Sequence, residues 1–212
     1  MKEKLSTNQV DVFGLFPIAV YSTNIRKFTV EELKFVKKHK REVVSNRGNT
    51  YTKNTYLLEE REFKNLKKEM QKHIDEYVEK IIRPQTNIKC YITQSWLNYT
   101  KPGEYHQEHH HANSYLSGVL YFNADEKVDT ISFHRDIYNQ LEIPIKEYTL
   151  FNSHTWFLKI KTGQLLMFPS SLKHFVNIKT GNNTRISLSF NTFIKGKLGK
   201  KDRLTELKLN DN

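Results

Sequence analysis

At Ile88 the apolar pattern of the chain changes period, and that change constrains the fold more than any other feature of the sequence. From there the sequence breaks into short alternating or apolar runs at 88–100, 104–111, 115–123, 129–134, 148–151, 155–160, 164–168, 174–178 and 184–194. Turn-forming clusters separate many of them: Lys101-Pro102-Gly103, Asn123-Ala124-Asp125, Thr162-Gly163, Pro169-Ser170-Ser171 and Gly181-Asn182-Asn183. Glycine, proline and asparagine supply the dihedrals that tight reversals need. Many short strands with this punctuation imply a sandwich or a jelly-roll barrel.

The first 87 residues read differently. Residues 12–25 suggest one or two short strands broken at Pro17. Thr29 and Glu32 form a capping-box pattern, which predicts a helix to about Val44, with Leu33, Val36 and Val43 or Val44 on its buried stripe. A second helix is expected over Leu58–Ile82, where Phe63, Leu66, Met70, Ile74, Tyr77 and Ile81 recur at three- and four-residue steps. Pro84 stops it. The expected organisation is a single domain over 1–212: helical support to about residue 87, a β core over 88–194, and a basic tail over 195–212 that frays.

Composition narrows the function classes. Hydrophobic residues make up 37% and aromatics 12% of 212 residues, which is a globular composition. Cys90 is the single cysteine, so no intramolecular disulfide forms, which fits a reducing compartment. No apolar run approaches the roughly 20 residues that cross a bilayer, and no signal-peptide core follows Met1-Lys2-Glu3-Lys4. The net charge of +11 invites a nucleic-acid partner. The lysines, however, are spread over two mixed-charge helices and a tail, without a basic-aromatic signature, and read as a solvated surface.

The chemistry concentrates in the β half. His106, His109, His110 and His111 crowd one segment, and imidazole suits iron, zinc, copper and nickel. On a strand, residues two apart share a face, so His109 and His111 reach a common ion while His110 points away. His174, which follows a Pro-Ser-Ser turn, qualifies as a third ligand from a distant strand. His106 and Glu108 form a rival pair on the opposite face; the two pairs cannot both point inward, and the flanking Pro-Gly turn and Ser-Gly-Val run favour His109/His111. Further on, Ile186, Leu188 and Phe190 alternate with Arg185, Ser187, Ser189 and Asn191. A buried arginine on that polar face needs an anionic partner. A dicarboxylate supplies one, paired bidentately with the guanidinium and hydrogen-bonded by Ser187.

Two runs carry a family resemblance. The first joins Trp96-Leu97-Asn98, Pro102-Gly103, His109-His110-His111, Ser114 and Ser117-Gly118-Val119-Leu120-Tyr121. The second joins Gly163-Gln164-Leu165-Leu166-Met167-Phe168-Pro169-Ser170, His174 and Arg185-Ile186-Ser187-Leu188-Ser189-Phe190-Asn191. Together they resemble the 2-oxoglutarate/iron(II) oxygenases common in marine phages and bacteria, relatives of the prolyl 4-hydroxylases; Leu15-Phe16-Pro17 also looks like that family's N-terminus. The resemblance implies a double-stranded β-helix of the jelly-roll or cupin type, mainly β, with N-terminal helices packed on it. It implies Fe(II) on His109, His111 and His174, with the 2-oxoglutarate C5 carboxylate on Arg185 and Ser187. Ser117 stands where prolyl-hydroxylase relatives put a threonine near that carboxylate, and Asn98 and Tyr121 are candidate pocket residues. O2 is the second cosubstrate implied, with ascorbate an admissible auxiliary. The expected reaction releases succinate and CO2 and hydroxylates a prolyl, other peptide or small-molecule substrate. The expected location is the cytoplasm, that of the host cell if the gene is a phage's.

One position departs from the superfamily. Its usual motif is His-x-Asp…His, and here the Asp position is His111, so the metal would be held by neutral ligands only. Two alternatives stay open at this point. One is a three-histidine dioxygenase that uses no 2-oxoglutarate; the other is a non-catalytic β-sandwich binding module with a vestigial metal site.

Overall fold

A computed structural model describes residues 2–4, 11–136 and 141–209. Residues 210–212 of the expected basic tail, and part of the N-terminal stretch read for a signal core, lie outside the described residues. The strands are β1 (Lys2–Lys4), β2 (Asp11–Phe13), β3 (Tyr21–Asn24), β4 (Val43–Ser45), β5 (Thr50–Thr52), β6 (Ile88–Thr100), β7 (His106–His109) and β8 (Leu116–Asn123). They continue with β9 (Thr130–His134), β10 (Thr155–Lys159), β11 (Gln164–Pro169), β12 (Lys173–Val176), β13 (Arg185–Leu198) and β14 (Leu207–Leu209). Helix α1 covers Val30–His39 and α2 covers Lys64–Tyr77.

The fold is mainly β, with antiparallel sheets. The larger sheet has the order β3-β11-β8-β13-β6-β5-β4, with β14 added along β13. The smaller has the order β10-β9-β12-β7. Non-consecutive neighbours in both sheets are the mark of a jelly roll. Among the described residues, no helix is long and apolar enough to cross a membrane.

Alternation explains how the larger sheet buries both faces. Leu120 and Phe122 of β8, Leu165 and Met167 of β11, and Leu188 and Phe190 of β13 pack in one core with Leu66, Met70 and Ile74 of α2. Their neighbours Val119, Tyr121, Leu166 and Phe168 point the other way, into a second core with Ile131 and Phe133 of the smaller sheet. The period of two thus separates a helix-facing side from a barrel interior. Gly118, opposite Phe190 in register, leaves the room that Phe190 fills; a Cβ there would lie 2.2 Å from the ring.

The helical half departs from expectation at three places. The Thr29–Glu32 capping box forms as read, but α1 ends at His39, and Val43 and Val44 enter β4 instead. β-Branched valines gain more from pairing with β5 than from a frayed last turn. Phe35 and Val36 carry the buried stripe, while Leu33 is 47% exposed. The second helix is preceded by two 3₁₀ turns and closes in a π turn over Val78–Ile82. The wider turn rotates the face, so Val78 is buried and Ile81 is 41% exposed. Arg83 then turns left-handed (φ 50°) just before Pro84.

Two expectations in the β half are also corrected. Residues 148–151 form turns, not a strand, held by Asn152 Oδ1 and Thr149 Oγ1 accepting from backbone N–H groups. The segment after 194 does not simply fray: β13 runs on to Leu198, and β14 returns to pair with it from Gly196 to Leu198.

Gly118→Ala is expected to cost about 1–3 kcal/mol through overpacking against Phe190. A lowered urea midpoint with unchanged slope checks this, and adding Phe190→Leu to the Gly118→Ala variant should recover part of the loss.

Candidate metal centre

The site is assembled by two short strands and the polar face of the larger sheet. β12 lies between β9 and β7, and its His174 is directly opposite His109. An antiparallel pair brings such side chains within contact, and the two ring centroids are 4.3 Å apart. His111 follows β7 by two residues, its backbone N–H donating to Ser170 O at 3.0 Å. Its ring lies 5.0 Å from that of His109 and 5.2 Å from that of His174. One ligand atom from each of the three histidines lies within 4.8 Å of the others, the spacing of a group that can close on one ion.

Two of the three rings are oriented by the backbone. His109 Nδ1 donates to Gln107 O at 2.8 Å, and His174 Nδ1 donates to Leu172 O at 2.9 Å. Each bond puts the proton on Nδ1 and leaves Nε2 as a free lone pair, the tautomer a metal ligand needs. His111 is stacked on Trp96 instead, with centroids 5.8 Å apart. Phe168 meets His174 edge-on at 4.7 Å.

The cluster is poor at holding protons. Burial, then the neighbouring His109, pushes His174 down to about 3. Burial and the flanking histidines push His111 down to about 4, and burial also lowers His109 against the pull of the Gln107 carbonyl. All three rings are therefore neutral at pH 7, ready to coordinate.

Register supplies the pocket floor. Ser187 of β13 lies between Asn98 of β6 and Tyr121 of β8; Ser189 lies between Trp96 and Val119; Arg185 is opposite Thr100. These residues, except Thr100, line one pocket with His109, His111 and His174, walled by Ile131, Phe168 and Val176 and holding about 510 Å³ of empty space, part of it open to solvent. Arg185 is only 3% exposed. Its Nη1 donates to Thr130 O at 3.3 Å and its Nη2 to Thr100 Oγ1 at 3.2 Å, both neutral acceptors, while Nε has no partner. The nearby carboxylate of Asp129 is paired with buried Lys179 at 2.8 Å. A buried guanidinium with long bonds to neutral oxygens and an orphaned N–H is built to receive an anion. Asn98 Oδ1, also buried, lacks a partner as well, while its Nδ2 donates to Ser189. Burial raises the Tyr121 phenol far above its ordinary range, so it stays protonated.

Each residue singled out from sequence lies in this pocket, with one qualification. The Ser117 hydroxyl already donates to Asn191 Oδ1 at 3.0 Å and is bonded to Ser170 Oγ at 2.8 Å. The rival pair is split. Glu108 turns outward and holds His134 at 2.7 Å, but His106 turns inward, lines the pocket and stacks on His109 at 4.4 Å. The expectation that the two pairs exclude one another fails because the strand is not regular. Val176 pairs with His106 and His174 with His109, so three steps on β7 face two on β12, a bulge that puts His106 and His109 on one face. No alternation pattern signals such a bulge. Burial pushes His106 down to about 3, reinforced by His109 and Arg185.

Comparison with known proteins joins this geometry to a family. Residues 94–191 match the family described as "Putative 2OG-Fe(II) oxygenase". The match takes in just under half of the chain and likens that segment to the 2OG-Fe(II) oxygenases. No curated protein sequence matches the chain significantly. The fold is shared with solved structures at low identity. One is the epimerase SnoN in complex with Fe3+, alpha ketoglutarate and nogalamycin RO (10% identity, 83% of this chain and 79% of that one, TM-score 0.57). Another is a Pseudomonas putida prolyl-4-hydroxylase (13%, 82% and 92%, 0.51). A third is HygX from Streptomyces hygroscopicus with nickel and 2-oxoglutarate bound (10%, 82% and 82%, 0.52). The matched segment begins in β6 and ends in β13, and so holds every residue of the His109/His111/His174 cluster.

Two outcomes follow from the neutral, buried rings. In the metal-free protein the folded state resists protonation of His174, whereas the unfolded chain takes up a proton near pH 6.5; stability is therefore full above that value and falls as the pH drops towards 4. At pH 4.5 the loss from His174 is on the order of 2 kcal/mol, read as a fall in urea midpoint that His174→Asn reduces. At pH 7.5, His174→Ala should abolish stoichiometric binding of Fe(II) in anaerobic calorimetry, with far-UV circular dichroism unchanged.

Proposed function

We propose that the chain is a non-haem Fe(II)- and 2-oxoglutarate-dependent dioxygenase, with His109, His111 and His174 as its metal ligands. The observation that carries the reading is the buried Arg185 guanidinium, with an unpartnered Nε, lining the same pocket as the three histidines. A three-histidine site alone fits several metals and reactions. A convergent buried cation narrows the choice to a cosubstrate with an acidic tail.

The donor set fits the group. Nε2 of His109 and of His174 is free to coordinate, and the three ligands leave open positions of the kind that such oxygenases use. When bound, Fe(II) supplies the activation of O2 that couples 2-oxoglutarate breakdown to succinate and CO2 with oxidation of a substrate C–H bond. The protein's residues do the positioning. Arg185 and Ser187 receive the distal carboxylate, and Asn98 and Tyr121, on either side of Ser187, frame the chain of the cosubstrate. Ser117 contributes only by exchanging one of its two hydroxyl bonds for that carboxylate. Val119, Ile131 and Phe168 keep water from the reacting face and strengthen every charge interaction inside. The substrate class proposed first is a prolyl or other peptide side chain, by analogy with the fold of the prolyl-4-hydroxylase.

A second reading keeps the metal but not 2-oxoglutarate. The imidazole at position 111, where the superfamily's motif has a carboxylate, favours it. Arg185 counts against it, since such an enzyme has no use for a buried guanidinium. Anaerobic titration of the Fe(II)-loaded protein with 2-oxoglutarate separates the two, because only the first reading gives saturable binding and succinate release in air. Arg185→Ala should weaken 2-oxoglutarate roughly 30-fold or more, the size of a lost charge-assisted pair, while Fe(II) affinity changes little. Wild-type cosubstrate affinity in that variant removes the reading.

A further inference from the structure

Among the described residues the pocket holds one fixed positive charge and no acid of its own. Its lining includes Arg185 and the four imidazoles of His106, His109, His111 and His174, but no aspartate or glutamate. Carboxylates in the surrounding strands are committed elsewhere: Asp129 is ion-paired with Lys179 at 2.8 Å, and Glu108 turns outward to His134 at 2.7 Å. The imidazole of His111 adds no charge where a His-x-Asp motif would add one negative charge.

Charge counting then gives an imbalance. A divalent ion and the guanidinium bring three positive charges, and a 2-oxoglutarate dianion cancels two. One positive charge is left among apolar walls formed by Val119, Ile131, Phe168 and Val176. An uncompensated charge beside such walls is costly. The whole chain, at +11, also draws anions towards itself.

Building on the oxygenase reading above, we infer that the primary substrate is anionic, and that its negatively charged group sits in this pocket beside the metal, taking the electrostatic place of the missing carboxylate. The recognition is of one unit of negative charge. A neutral molecule of the same shape satisfies the pocket's volume but not its charge, so it binds more weakly. A carboxylate introduced at position 111 cancels the same charge from inside the protein and competes with the substrate's own.

The test uses the full chain loaded with Co(II) under anaerobic conditions and saturated with 2-oxoglutarate. Calorimetric titration with acetate, and separately with its neutral isostere acetamide, is run at fixed ionic strength. Expected is one acetate per chain, bound at least about tenfold tighter than acetamide, the order that one unscreened charge provides. Where it loads Co(II) and 2-oxoglutarate, His111→Asp should lose at least about tenfold in acetate affinity. Equal binding of acetate and acetamide, absence of both, or an unchanged acetate affinity in His111→Asp overturns the inference. If His111→Asp does not load Co(II), the acetate-to-acetamide ratio of the wild type decides alone. Failure of the first step, with no 2-oxoglutarate uptake by the wild type, is a separate result and strikes the oxygenase reading itself.

Discussion

The register of β13 between β6 and β8 is the constraint on which the site depends. Its even-numbered residues from Ile186 to Phe190 face the helices, and its odd-numbered ones face the barrel interior. A slip of one residue would exchange the faces, sending Arg185 into the helix-packed core and Phe190 into the pocket. Phe190 seated over Gly118 guards against that slip, since the cleft it fills exists at one register only. The apolar face thus fixes the chemistry of the polar face through the backbone between them.

The polar face is energetically costly. A guanidinium, four histidines, three serines and an amide gather in a space where buried polar groups ordinarily find partners, yet Arg185 Nε and Asn98 Oδ1 have none. Local violations of this kind concentrate at functional sites, where the missing partner is a ligand. The surrounding fold offsets the cost. Helix α2 seals one face of the sheet with Leu66, Met70 and Ile74, and the Lys179–Asp129 pair is buried but mutually compensated. The histidines stay neutral for the same reason that Arg185 is strained: burial penalises charge wherever no counter-charge is supplied.

The likeness to solved structures bears on the frame more than on the chemistry. At identities near a tenth, what is shared with SnoN, HygX and the Pseudomonas putida enzyme is the path of the strands. Individual side chains on that frame, above all the imidazole at 111, belong to this chain and set its own charge balance.

Where the arithmetic of alternation applies, the sequence by itself was enough. The span of β6, the split of β13 into apolar and polar faces and the capping box of α1 all depend on neighbours in the chain. Events set by a partner strand were decided only by the tertiary structure. The bulge opposite Val176 brings His106 into the pocket; β5 draws Val43 and Val44 out of a helix; β14 returns to β13 from a tail that reads as solvated. The orphaned Nε of Arg185 belongs to this second group, because whether a guanidinium lacks a partner depends on three strands and a buried ion pair far apart in sequence. Local periodicity carries the direction a side chain takes from its own backbone; what it meets there is a property of packing.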